Sequence, residues 1–205
     1  KRTLVPRIAD IASRLPDIAT ACDIFTGTTR VAQGLKTAGL HVTTNDLASY
    51  SEVLGTCYVE ADRSKIDVDA LTEKLRYLES LPGVDGYFTE TFCIRSRYFQ
   101  PRNGRRVDAI RAKIDEVAED RIERAILLTS LMEAADRVDS TTGLQMAYLK
   151  QWAKRANNEL ELRIPNMHDG AGAARRSDAN AFAKETQDEF DLIYIDPPYN
   201  QHSYY

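Results

Sequence analysis

The sequence predicts an α/β fold in which a parallel sheet is interrupted by a helical insertion. Three observations predict it. The run "ATACDIFTGTTRVAQGLKTAGLHVTTND" (19–46) alternates strand, tight loop, helix and strand texture. A second short apolar run, "DLIYID" (191–196), resumes near the other end. Between them, over residues 63–160, apolar residues recur at spacings of three and four, the signature of amphipathic helices.

Leu4, Ile8, Ile11 and Leu15 give a first helix over residues 3–15, with Thr3 placed to cap it and Pro6 in the first turn, where a missing N–H is tolerated. Pro16 ends it. Ala21–Phe25 reads as a strand, Gly27-Thr28-Thr29 as the loop, and Arg30–Ala38 as a helix with Val31, Leu35 and Ala38 inward and Gly39 at its end. Leu40–Thr44 follows as a strand, ending at Asn45-Asp46. A strand–helix–strand of this length is a right-handed βαβ unit in a parallel sheet.

The insertion carries Leu71, Leu75 and Leu78, then Ile110, Ile114 and Val117, then Ile122, Ile126 and Leu127, each set at helical spacing. "MAYLKQWAKRANNEL" (146–160) reads as a further helix, on which Trp152 is a packing residue. "GYFTETFCIRSRYFQPRNGRR" (86–106) has poor periodicity and reads as a long loop. After Pro165 come "AGAARRSDANAF" and the last strand, Leu192–Ile195, whose unbroken apolar character suits burial on both faces. The organisation is therefore a core of residues 1–62 and 161–205, split by an insertion of residues 63–160.

Composition is that of a globular protein: 205 residues, 43% apolar and 28% charged. No run of apolar residues is long enough to span a membrane, and the start, Lys1-Arg2-Thr3-Leu4, has no apolar signal segment. Cys22, Cys57 and Cys93 are widely spaced, with no metal-ligand pattern, and read as reduced thiols of an intracellular protein. At net charge −4, any nucleic-acid contact must rest on local patches.

Five features carry chemistry. In Asp23-Ile24-Phe25-Thr26-Gly27-Thr28 an acid ends a strand and a small-residue turn follows, so a ligand can approach the backbone. The GxGxxG spacing of dinucleotide sites is absent, and a plain βα turn has the same texture. Asp46 ends the second strand; it suits either a ribose, whose two hydroxyls it would accept from, or a turn or helix cap. Asp178 suits either the exocyclic amine of an adenine or the cap of a helix through Phe182. In Asp196-Pro197-Pro198-Tyr199 two prolines stiffen the chain and remove two donors, so a carboxylate and carbonyls project as acceptors beside an aromatic ring. That set suits a planar group bearing an amine. Arg95, Arg97, Arg102, Arg105 and Arg106, interleaved with Tyr98 and Phe99, suit either DNA phosphate contact or a solvated loop that balances nearby acids.

The sequence resembles the N6-adenine-specific DNA methyltransferases of the DNA adenine methylase type. Asp196-Pro197-Pro198-Tyr199 matches the family's catalytic DPPY motif, and Asp23 through Thr28 is similar to its cofactor motif, D-x-F-x-G-x-G/T. "KRTLVPRI" is similar to the segment that follows the family's N-terminal G-x-K, which makes Lys1 the equivalent of that lysine, although the preceding glycine is missing. "YFQPRNGRRVDAIRAKID" resembles the segment in which an exposed loop leads into a helix. The resemblance implies a partial Rossmann-like methyltransferase sheet with a helical target-recognition insertion. It also implies S-adenosylmethionine as cofactor, double-stranded DNA as partner, no metal, and methyl transfer to N6 of a flipped-out adenine. Cofactor-binding residues would be Lys1, Asp23, Phe25, Gly27, Thr28, Asp46 and Asp178, the catalytic set Asp196, Pro197, Pro198 and Tyr199, and the DNA contacts the five arginines. A cytoplasmic, nucleoid-associated protein is expected.

An RNA adenine methyltransferase and a degenerate, DNA-binding methylase are the rival readings; glutamine methyltransferases, with N-P-P-Y, fit Asp196 less well. Only about four strands are visible, and DPPY lies close to Tyr205. An exposed apolar sheet edge is expected, with weak or no activity unless a missing C-terminal segment or a partner chain completes the sheet.

Overall fold

The computed structural model describes residues 3–142 and 151–198. Its elements begin with α1 (Val5–Ser13), β1 (Thr20–Asp23), α2 (Arg30–Thr37), β2 (His41–Asp46) and α3 (Ser49–Gly55), which continues as a π-helix over Thr56–Glu60. Next come α4 (Val68–Ser80), a second π-helix (Thr89–Arg95), α5 (Pro101–Val117) and α6 (Arg121–Asp136). The last are a 3₁₀ turn (Lys154–Asn157), β3 (Ala173–Arg176), α7 (Ala179–Glu185) and β4 (Leu192–Tyr194). They divide into two compact units, residues 1–66 with 165–205, and residues 67–164.

In the first unit all strand pairs are parallel, in the order β3-β2-β1-β4, with Asp23 paired in register to both Thr44 and Tyr194, and Asp46 to Arg176. Ala21, Val42 and Ala174 of the strands are buried with Val31 and Leu35 of α2 and Cys57 and Val59 of the first π-helix. α3 lies hard against the sheet: a Cβ on Gly55 would stand 2.6 Å from the Thr44 hydroxyl oxygen. Lys36 is buried, and its ammonium donates to the carbonyls of Tyr58 (3.3 Å) and Ala61 (2.6 Å), satisfying acceptors that the π-helix leaves open at its end. Burial pushes the Lys36 pKa down, against the opposing pull of Asp62, Cys57 and Asp169.

Four sequence expectations are corrected in this unit. Ala38 is exposed, just past the end of α2, and not inward. The N-cap position of α1 falls on Leu4, which has no side-chain acceptor, so Thr3 does not cap it. Leu4, Ile11 and Leu15 are exposed; Ala12 is the buried residue of α1. β4 is not buried on both faces: among the described strands it pairs with β1 alone, and Ile193 and Ile195 are 52% and 64% exposed. Its apolar character is that of an interior strand, while its position in this sheet is an edge.

In the second unit Leu71, Leu75 and Leu78 of α4, Ile110 and Ile114 of α5, and Ile126, Leu127 and Leu131 of α6 form the core. Each fully buried side chain of this kind contributes about 1.5–3 kcal/mol. Asp67 and Asp120 cap α4 and α6 by accepting from backbone N–H groups. The expected loop over 86–106 is helical in both its halves: residues 87–95 form a helical segment, π from Thr89 onward, and α5 already starts at Pro101. Asp108, from α5, accepts from the N–H groups of Phe88 (2.9 Å) and Thr89 (2.8 Å) and from the Thr89 hydroxyl (2.7 Å), which pins the start of that segment. Phe88 packs on Phe92 and Phe99, each with ring centroids 4.9 Å away. The expected helix over 146–160 is also corrected: 146–150 lie outside the described residues, and of the rest only Lys154–Asn157 turns, as 3₁₀.

Candidate active site at the carboxyl ends of the strands

A parallel sheet delivers every strand's carboxyl end to one edge, and here each strand brings an acid there. Asp23 is the last residue of β1 and Asp46 the last of β2, Asp178 follows β3 by two residues, and Asp196 follows β4 by two. A crevice outside such strand ends is the usual ligand position in open α/β sheets.

The loop after β1 is shaped by two left-handed residues. Gly27 has φ +52° and Thr29 φ +61°; the second is costly for a β-branched residue and is held by the fold. Thr29 is fully buried, its N–H donates to the Thr26 carbonyl (2.8 Å), and its hydroxyl accepts from Gln33 (2.8 Å) and donates to the Thr28 carbonyl (2.7 Å). Thr26 donates through its hydroxyl to Asp23 Oδ2 (3.2 Å) and through its N–H to the Asn45 carbonyl (3.0 Å). Nothing lies within 4 Å of the position a Cβ on Gly27 would take, so the backbone at that point faces open space.

Asp46 accepts from the Gly27 N–H (2.8 Å) and the Ala48 N–H (3.0 Å), so the acid at the end of β2 fixes the loop after β1. Asp178 caps α7, accepting from Asn180 and Ala181 (2.9 and 3.1 Å), and the neighbouring Ser177 N–H donates to the Asp46 carbonyl (3.2 Å). Both bonds to Asp178 go to its Oδ1, and a carboxylate has about four acceptor sites. Phe25 is half-buried and Thr28 exposed.

Beside β1, the Tyr194 carbonyl accepts from the Ile24 N–H (3.3 Å), and the Tyr194 hydroxyl reaches Asp196 Oδ2 at 3.5 Å. Asp196 is half-buried, while Pro197 and Pro198 are exposed. Lys1 and Tyr199 lie outside the described residues. Cys22, one residue before Asp23, is pushed up to about 12, by burial first and then by the charges of Asp23 and Asp188, and so stays a thiol with no nucleophilic role.

The five arginines have different partners. Arg102, Arg105 and Arg106 are on α5: Arg102 donates to the Asn157 carbonyl, Arg105 pairs with Asp85 (2.7 Å), and Arg106 donates to the Glu79 carbonyl (2.7 Å) at the end of α4. Arg95 pairs with Glu90 (2.8 Å) in a largely exposed setting. Arg97, with φ +55°, lays its guanidinium 5.2 Å from the ring centre of Trp152. Sequence reasoning missed Asn45, because a polar residue does not stand out in the mostly polar β2, His41-Val42-Thr43-Thr44-Asn45-Asp46.

Among the described residues no group of three or more His, Cys, Asp and Glu side chains could hold a metal ion, and no helix is long and apolar enough to cross a membrane. A family model described as D12 class N6 adenine-specific DNA methyltransferase matches residues 1–205. The chain is 31% identical over 211 residues to Type II methyltransferase M.NlaIII of Neisseria lactamica, covering 98% of the chain and 62% of that protein. It is 29% identical over 221 residues to Modification methylase StsI of Streptococcus sanguinis, covering 100% of the chain and 33% of the relative. Against Type II methyltransferase M.FokI of Planomicrobium okeanokoites the identity is 32% over 201 residues, with 89% and 30% covered. The chain thus spans less than two thirds of the length of the first relative and a third or less of the other two. No solved structure matches it.

Proposed function

The chain belongs to the D12 class N6 adenine-specific DNA methyltransferases, and on that premise we propose that it serves a site-specific methylation of adenine N6 in double-stranded DNA, with S-adenosylmethionine as methyl donor. The supporting observation is the convergence of four acids on one sheet edge, with Asp196-Pro197-Pro198 beside the loop that follows Asp23. The names of its relatives, type II methyltransferases and modification methylases, support a restriction-modification role.

The residues fit the cofactor. An acceptor-rich edge matches a ligand whose polar groups are largely hydroxyls and amines, and the open space beside Gly27 admits it against bare backbone. Asp46 would accept from ribose hydroxyls, Asp178 from the adenine amine, and the Asp23–Thr28 loop would line the remainder with Phe25; Lys1 would serve the methionine end. When bound, S-adenosylmethionine supplies a methyl group activated by its sulfonium.

The chain's own residues then orient the target. The Asp196 carboxylate and the Pro197 carbonyl accept hydrogens of an adenine amine, so that its nitrogen lone pair points away from them and into the crevice. Pro197 and Pro198 hold those acceptors rigid, and Tyr199 would stack on the base. Reaching this position requires the adenine to leave the duplex, at a cost of a few kcal/mol. Positioning of this kind can lower a bimolecular barrier by about 7–11 kcal/mol. Arg95 and Arg97 would meet phosphates.

The test is to incubate the full-length protein with tritiated S-adenosylmethionine and mixed DNA and RNA, then digest both to nucleosides. Label in N6-methyl-2′-deoxyadenosine is expected. Label confined to RNA nucleosides overturns the substrate, and none in either overturns the activity.

A further inference from the structure

We infer that Asn45 is a positioning residue, a cross-tie that fixes the relative placement of the acids lining the cofactor crevice. The inference rests on the cofactor reading above and goes beyond it by naming what holds that crevice in shape.

Asn45 sits in β2, between β1 and β3, with no exposed surface. Its side-chain amide donates in two directions: to the Ser177 carbonyl after β3 (3.1 Å) and to the Ile24 carbonyl after β1 (3.4 Å). Its backbone carbonyl accepts from Thr26, whose hydroxyl in turn holds Asp23. Ile24 follows Asp23, Ser177 precedes Asp178, and Asp46 is the next residue along β2. Three acids at or just past the ends of three strands are therefore each one residue from a group that is part of Asn45 or bound to it.

The chemistry of the position is specific. Two carbonyls facing one side chain require two donors, which fixes the amide's orientation, since the flipped form would set an acceptor against both. Asn45 Oδ1 is left buried without a partner. An apolar side chain would avoid that unmet acceptor but would leave the Ile24 and Ser177 carbonyls unbound, so the two donors are what the position uses. Aspartate has the same shape and, when ionised, no donor. Serine has one.

The experiment is equilibrium titration of the full-length protein with S-adenosylmethionine, paired with steady-state kinetics. Asn45→Ala is expected to weaken cofactor affinity about tenfold or more and to raise the cofactor KM, with kcat at saturating cofactor largely kept. Asn45→Ser is expected to fall between. Asn45→Asp is expected to bind poorly at about pH 8 and to recover at about pH 6, because the flanking carbonyls and the adjacent Asp46 favour its protonated form, which restores one donor. Circular dichroism and thermal unfolding separate affinity changes from misfolding, and the Ser and Asp variants carry the test if the Ala variant does not fold. Affinity equal to wild type in Asn45→Ala overturns the inference while the cofactor reading stands, and so does a loss in Asn45→Asp that does not change with pH. Wild-type protein that binds no S-adenosylmethionine overturns both.

Discussion

The two units use charged residues in opposite ways. At the carboxyl edge of the α/β sheet, acids are bound to the main chain: Asp46 to Gly27 and Ala48, Asp178 to Asn180 and Ala181. In the helical unit, charges mostly answer one another: Lys74 joins Glu119 and Glu123, Asp115 joins Arg111 and Arg124, Arg105 joins Asp85, and Arg155 joins Asp139. An acid bound to backbone amides has its position set by the fold and keeps acceptor capacity for a ligand. A surface ion pair contributes only about 0–1 kcal/mol and holds its partners loosely. A charge-rich stretch of sequence therefore says little about function until the partner of each charge is known, whereas an acid at a strand end says much.

The contrast can be broken most sharply at Asp196. Asp196→Ala is expected to reduce methyl transfer by about 100-fold or more while cofactor titration remains near wild type; loss of both would mean that the acid holds the cofactor and not the base. The helical unit is expected to respond instead to packing. A Cβ on Gly104 would collide with the Cys93 sulfur and stand 3.2 Å from the Thr89 hydroxyl, so Gly104→Ala should cost about 1–3 kcal/mol in urea unfolding, and an unchanged midpoint would show that α5 has room to move. A smaller loss, about 1–2 kcal/mol, is expected for Asp108→Ala, which removes the acceptor for Phe88 and Thr89.

The α/β unit has a counterpart of that device in Asp191, which accepts from the N–H groups of Ala19 and Thr20 and from the Thr20 hydroxyl, at 2.8, 2.8 and 2.9 Å. These bonds hold the Asp191 carboxyl below its ordinary value, with the Ala19 N–H the largest cause. Because the folded value is depressed, the stabilisation is full above the unfolded carboxyl range and is lost as pH falls below about 4. Asp191→Asn should flatten that acid limb in a pH series of thermal midpoints; an unaltered limb would assign it to other carboxylates. The smallest effects are expected for DNA affinity. Arg97→Ala should weaken binding a few-fold and lower the salt slope by about 1, while Arg105→Ala, already paired with Asp85, should do less. The reverse order would favour the α5 arginines over Arg97 as DNA contacts.

The strand ends were legible because their signals are local: a short apolar run, an abrupt acid, and glycine or proline next to it, as in Asp23–Gly27 and Asp196–Pro198. Residues 89–95 were not, because a π-helix advances more residues per turn than the 3.6 that helical periodicity looks for. Its start is fixed by Asp108, nearly twenty residues downstream, which no local pattern discloses. The exposure of Ile193 and the cross-strand bonds of Asn45 are likewise properties of neighbours in the sheet, not of the residue's own segment.

The guanidinium of Arg97 rests against Trp152, the sequence's single tryptophan. That gives the helical unit its own optical reporter. Excited selectively, the indole reads one locality at the arginine proposed to meet DNA, with no signal from the α/β unit to subtract. Removing the cation from the ring should shift its emission, so titrating DNA into unlabelled protein and following that one fluorophore would show whether Arg97 leaves the ring for a phosphate.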